Sequence, residues 1–131
     1  MIDKERIFII DNKRIAFLLT FIAMFVITEF GRKVYRPFIY SNDIFDFWIA
    51  DTIGNFTGTI AIIFFEFAGI NPKYKKGRKF LIFIVLGLIV YEFLQYFSPR
   101  NILDWRDMIA TVIAGFISWG IYEFLFRRYP E

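Results

Sequence analysis

TIGNFTGTIAIIFFEFAGINPKYKKGRKFLIFIVLGLIVYEFLQYF, residues 52–97, holds two apolar runs, Thr52 to Ile70 and Phe80 to Phe97, separated by the nine residues NPKYKKGRK. Each run is about as long as a helix must be to cross a hydrocarbon core roughly 30 Å thick, at about 1.5 Å per residue. A soluble amphipathic helix carries a polar stripe along its length, and Ile60 to Phe65 and Phe80 to Val90 carry none. Asn71-Pro72 and Gly77 end one helix and restart the next, so the segment between them reads as a tight basic loop.

Two further runs flank this pair, Ile15 to Phe30 before it and Met108 to Phe126 after it. The expected fold is therefore all-α, an integral membrane four-helix bundle filling one domain over residues 1–131. No Pro/Gly/Ser-rich linker divides the chain. Composition agrees: 57% of residues are hydrophobic, above the roughly 45–50% of a soluble domain, and 19 are Phe. Without cysteine or histidine the chain has no disulfide framework, thiolate, imidazole base or usual zinc ligand, which removes several common hydrolase mechanisms. No cofactor or metal is implied. The opening MIDKERIFIIDNKR mixes acids with bases and lacks a small-residue cleavage site, so a cleaved signal peptide is not expected.

The net charge of +3 does not point to nucleic acid, because the basic residues stand in short clusters between apolar runs, where anionic headgroups lie. Eleven of them (Lys4, Arg6, Lys13, Arg14, Lys73, Lys75, Lys76, Arg78, Lys79, Arg127 and Arg128) fall on one side of the expected membrane. Five (Arg32, Lys33, Arg36, Arg100 and Arg106) fall on the other. The positive-inside rule then places both termini and the 71–79 loop in the cytoplasm, with the 31–46 and 98–106 turns facing outward.

The two halves, about 15–70 and 80–126, read as a repeat. Glu29-Phe30 and Glu92-Phe93 end a span, Arg36-Pro37 and Pro99-Arg100 sit in a turn, and Asp51 and Asp107 open the next helix. Asp51, Asn55 and Gly58 share one helical face, as do Asp107, Thr111 and Ala114, and small residues there would permit close helix approach. Glu66 and Glu123 also match, and are expected to snorkel toward Lys73 or Arg127. The hairpins would be parallel repeats about an axis along the membrane normal.

The candidate site lies on the outward face. Asp at helix starts and Trp48, Trp105 and Tyr40 at the interface are what capping and anchoring alone require. Glu29, Glu92 and Gln95 ask for more, since charge inside a span is rare unless paired or facing a cavity. An outward polar pocket would bring these acids to Arg36 and Arg100. The expected ligand set is Glu29, Arg36, Asp51, Asn55, Glu92, Gln95, Arg100, Asp104 and Asp107, with arginine binding the phosphate of a lipid headgroup. Alternatively Asp104 and Asp107, at i, i+3, could share a proton and catalyse hydrolysis or transfer on a lipid-linked phosphate.

The stretch EFLQYFSPRNILDWRDMIATVIAG, residues 92–115, resembles the signature of the VanZ-like membrane proteins through Glu92, Gln95, Pro99, Arg100, Asp104 and Asp107. Where that family has Asn followed by Gly, Thr111 and Ala114 stand here, while Asp51, Asn55 and Gly58 of the first half keep the pattern. The resemblance implies a cell-envelope role, its namesake being linked to low-level teicoplanin resistance, and names no reaction. The expected protein sits in the bacterial inner membrane and binds a membrane lipid or a lipid-linked envelope precursor. A noncatalytic assembly or transport subunit with a protein partner is the other reading.

Overall fold

A computed structural model describes residues 4–95, 97 and 105–130, and every regular element among them is helical. In chain order these are a short α1 (Lys4–Ile7), α2 (Asn12–Phe30), a π-helical turn (Gly31–Tyr35), α3 (Arg36–Ser41), α4 (Ile49–Ile70), α5 (Tyr74–Gln95) and α6 (Trp105–Arg128). Three are long and apolar enough to cross a membrane: Asn12–Ser41, which runs unbroken through the π turn, Ile49–Ile70 and Trp105–Arg128. The chain thus has the make-up of a helical membrane protein. α5 is as long as α4, but Lys75, Lys76, Arg78 and Lys79 crowd its first turns and Glu92 interrupts its apolar remainder.

The helix boundaries follow local chemistry. Asp11, in extended conformation, caps α2 by accepting the Arg14 N–H at 2.8 Å. Asn71 closes α4 in the left-handed region, φ 47°, its N–H donating to the Phe67 carbonyl; among residues with a side chain, Asn adopts this conformation most readily. Residues 31–46, expected as a turn, are instead helical as far as Ser41. Pro37 lacks an N–H and crowds the carbonyl one turn back, which would break a regular α-helix. Here the preceding turn widens, with the Arg36 N–H reaching Gly31 O, and the chain continues.

α2 packs on α4, α5 packs on α6, and α4 packs on α6, whereas the backbones of α2 and α5 do not come together among the described residues. Trp48 meets Arg106 where α4 and α6 begin and Phe67 meets Tyr122 toward their ends, so these two helices run parallel. α2 runs against α4, Phe17 facing Phe67 and Thr28 facing Thr57. α5 runs against α6, Gly77 facing Tyr122 and Gly115 facing Val85. Burial confirms the central pair: 39% and 44% of the spanning windows of α4 and α6 are buried, against 11% for α2. Exposed Phe25, Val26, Phe83, Leu86 and Val90 on the outer helices are a liability in water and ordinary against lipid.

The two ends of the bundle are built differently. Residues 71–79, expected as a loop, are helical from Tyr74 onward, leaving 71–73 as the connection, and at this end buried Phe17, Phe64, Phe67, Tyr122 and Phe126 form one aromatic cluster with ring centroids 4.6–6.4 Å apart. Lys13, also buried, lies 4.0 Å from the centre of the Phe126 ring. Glu123 does not turn to Lys73 or Arg127 as expected. It accepts from the Tyr74 hydroxyl and from Trp119 Nε1 at 2.9 Å, with Arg78 at 3.5 Å, because these groups reach it directly from α5 and from one turn back on α6. This end is tightly fastened. The opposite end opens into several concave spaces, among them a polar cavity and an apolar groove.

Gly58 does not serve the close approach expected of its face, because a Cβ there would meet nothing within 4 Å, while its neighbours Thr57 and Thr59 turn inward. The tight approaches lie at Gly31, Gly77 and Gly115; in the second half Thr111 and Ala114 are buried. Gly58→Ala is therefore expected to raise stability by about 0.5–1 kcal/mol through helix propensity. A loss on thermal unfolding in detergent would restore the packing role.

Candidate functional site

A cavity of about 270 Å³ opens where the π turn meets the starts of α4 and α6. Thr28, Gly31, Arg32 and Arg36 form one wall, Ala50, Asp51, Ile53, Gly54 and Asn55 the second, and Asp107 of α6 closes it. Asp51 and Asn55 reach it together because they are one helical turn apart. Asp107 joins them because α4 and α6 run parallel and adjacent.

Inside this wall Arg36 Nε donates to Tyr40 Oη at 3.1 Å, and Tyr40 in turn donates to Asp51 Oδ1. The guanidinium also lies 5.3 Å from the centre of the Tyr40 ring. Arg36, Tyr40 and Asp51 thus form a chain of contacts from α3 to α4. Asp46 fastens the loop between them, its Oδ2 accepting from the Ala50 N–H at 2.8 Å and from the Tyr35 hydroxyl at 2.9 Å. It supplies the side-chain bond at the start of α4 that Asp51 was expected to give. Trp48, in the N-cap position with φ 64°, gives none.

Of the expected ligand set, the structure gathers Arg36, Asp51, Asn55 and Asp107 around one space. Glu29 is elsewhere engaged, with Arg32 at 2.8 Å and Lys33 at 3.3 Å. Those partners lie at i+3 and i+4, the favoured spacing on one helix. Arg36 would normally share that face two turns on, but the π turn adds a residue and rotates it toward Tyr40. Glu92 and Gln95 are half-buried in the last turns of α5 and do not line the cavity. Arg100 and Asp104 lie outside the described residues, so of the Asp104/Asp107 pair only Asp107 is placed. Among the described residues, the carboxylate residue that shares its cavity is Asp51, from the other half of the chain.

Tyr40, Arg32 and Thr28 were not anticipated as part of the site. Tyr40 stands at i+4 from Arg36, a signal that is readable only once residues 36–41 are known to be helical. Thr28 Oγ1 lies 2.7 Å from Thr57 Oγ1 and joins the cavity wall to the α2–α4 seam. Among the described residues no group of three or more carboxylates is arranged to hold a metal ion. Guanidinium, amide and carboxylate groups facing one small space can bind an oxyanion and, through Asp51 and Asp107, accept hydrogen bonds from hydroxyl or ammonium groups beside it. Comparison with protein-family models, curated proteins and solved structures finds no match for this chain.

Proposed function

We propose that the chain is a VanZ-like protein of the bacterial inner membrane whose cavity binds the phosphate headgroup of a lipid or lipid-linked envelope precursor. In this reading α5 is a fourth span, its basic first turns at headgroup depth, and both termini are cytoplasmic, so that the cavity faces outward. Two parallel hairpins are supported by the contact pattern, since α2 lies on α4 as α5 lies on α6, with α4 against α6 between them. The observation that carries the function is the meeting of Arg36, Asp51, Asn55 and Asp107 around one cavity at the end with fewer bases. Because carboxylates accompany the arginine, a headgroup with phosphate oxygens and hydroxyl or amine donors matches it better than a bare anion.

Arg36 is exposed, so its substitution tests binding with little effect on the fold. Arg36→Lys keeps the charge and loses the fork, and lipid retained in native mass spectra is expected to fall about fivefold, with a larger fall for Arg36→Gln. Unchanged lipid in both variants contradicts the reading. Orientation is tested separately: a cysteine at Ser41 is expected to react with an impermeant thiol reagent in intact cells and one at Lys75 to stay unlabelled. The reverse pattern turns the protein over.

A further inference from the structure

The second concave space is an apolar groove of about 520 Å³ between the first halves of α4 and α6. It follows α4 from Trp48 to Thr57, about 13 Å at the helical rise. Its hydroxyl protons are engaged within α4: Thr52 Oγ1 donates to Trp48 O at 2.9 Å, and Thr57 Oγ1 to Ile53 O at 2.8 Å. What remains is hydrocarbon and aromatic surface, with one charged side chain, Arg106, whose guanidinium lies 5.6 Å from the centre of the Trp48 ring. A long apolar occupant fits that surface.

The groove and the polar cavity are neighbours. Ile53 lines both, and it stands against Gly31, where an added Cβ would lie 3.2 Å from Ile53 Cγ2. We infer that one amphiphile occupies both spaces, straddling Ile53 with its phosphate head in the polar cavity and its acyl or prenyl chain in the α4–α6 groove. This rests on the headgroup reading above and adds where the chain of the ligand lies: a phosphate ester whose chain is long enough to leave the cavity and follow α4. Filling the groove would then weaken long-chain ligands selectively, because only they use it. Removing the headgroup donor would weaken long and short chains alike.

The probes are dioleoyl and dihexanoyl phosphatidylglycerol, titrated against the full chain in phosphatidylcholine nanodiscs. Ile109 and Ile113 line the groove and are about half exposed, so Ile113→Trp, with Ile109→Trp as a second variant, fills the groove without entering the core. Either is expected to weaken the dioleoyl lipid about tenfold, the effect of roughly two buried methylenes, and to leave the dihexanoyl lipid unchanged. Arg36→Gln is expected to weaken both. If both tryptophan variants bind the dioleoyl lipid like the parent while Arg36→Gln weakens both probes, the groove inference falls and the headgroup reading stands. If Arg36→Gln changes neither, both fall. An Ile113→Cys protein that forms a disulfide-linked dimer in membranes would assign the groove to a second copy and overturn the inference.

Discussion

Replacing Gly77 by alanine is expected to destabilise the protein by about 3 kcal/mol, at the upper end for overpacking a filled site. A Cβ at this position would overlap the Tyr122 hydroxyl oxygen and lie 2.8 Å from Cζ and 2.9 Å from Cε2. Tyr122 cannot withdraw. Its side chain is fully buried, its ring lies 4.6 Å from Phe126 and 5.0 Å from Phe67, and its hydroxyl donates to the Tyr74 carbonyl at 2.6 Å. The clash would push α5 away from α6 at the end where the helices are fastened. Tyr122→Phe alone should cost about 1 kcal/mol for the lost hydrogen bond, yet it removes the nearest atom, so Gly77→Ala with Tyr122→Phe should be more stable than Gly77→Ala alone. Thermal unfolding in detergent of the two single variants and the double variant checks this. Simple additivity would show that the two residues do not meet.

Arg14→Ala is expected to cost about 3 kcal/mol, because one guanidinium serves the ends of two segments. Its Nε and Nη2 donate to the carbonyls of Ala68 at 2.7 Å and Gly69 at 3.1 Å, in the last turn of α4, where carbonyls lack helical partners and a cation is favoured. Nη1 donates to Ile9 O at 2.9 Å and to Ile7 O, fixing the chain that leads into α2. Arg6 and Asn71 repeat the connection, Arg6 Nε reaching Asn71 O at 2.9 Å and Asn71 Nδ2 reaching Arg6 O at 3.0 Å. An ammonium cannot span these acceptors, so Arg14→Lys should recover less than half of the loss. Proteolysis of residues 4–11 in the variants would report detachment of this segment, and equal stability of parent and Arg14→Ala would contradict the capping role.

Much of this architecture was legible in the sequence because it depends on local pattern. The apolar runs became helices, and Asn71-Pro72 ended α4, because apolar length and left-handed caps are decided within a few residues. Asp51 and Asn55 were legible as one face for the same reason. Arg14 was not legible in its role: counting placed it among cytoplasmic bases, whereas its partners at Ala68 and Gly69 are set by how α2 returns against α4. Gly77 read as a helix restart, and only the packing of α5 on α6 shows it as the space for Tyr122. Arg36 was singled out but set in a turn, because charged residues and Pro37 interrupt the apolar run. A widened π turn carries the helix past them and selects Tyr40, rather than Glu29, as its neighbour.

The proposed phosphate-binding role of the open end is tested most directly by photo-crosslinking in the native membrane. Gly54 lines the cavity, and a Cβ there would meet nothing within 4 Å, so benzoylphenylalanine can replace it. In cells grown on radiolabelled phosphate, illumination is expected to attach a labelled lipid at position 54, and Arg36→Gln in the same chain is expected to abolish the adduct. No adduct, or one of equal intensity with and without Arg36, would contradict a phosphate-binding cavity.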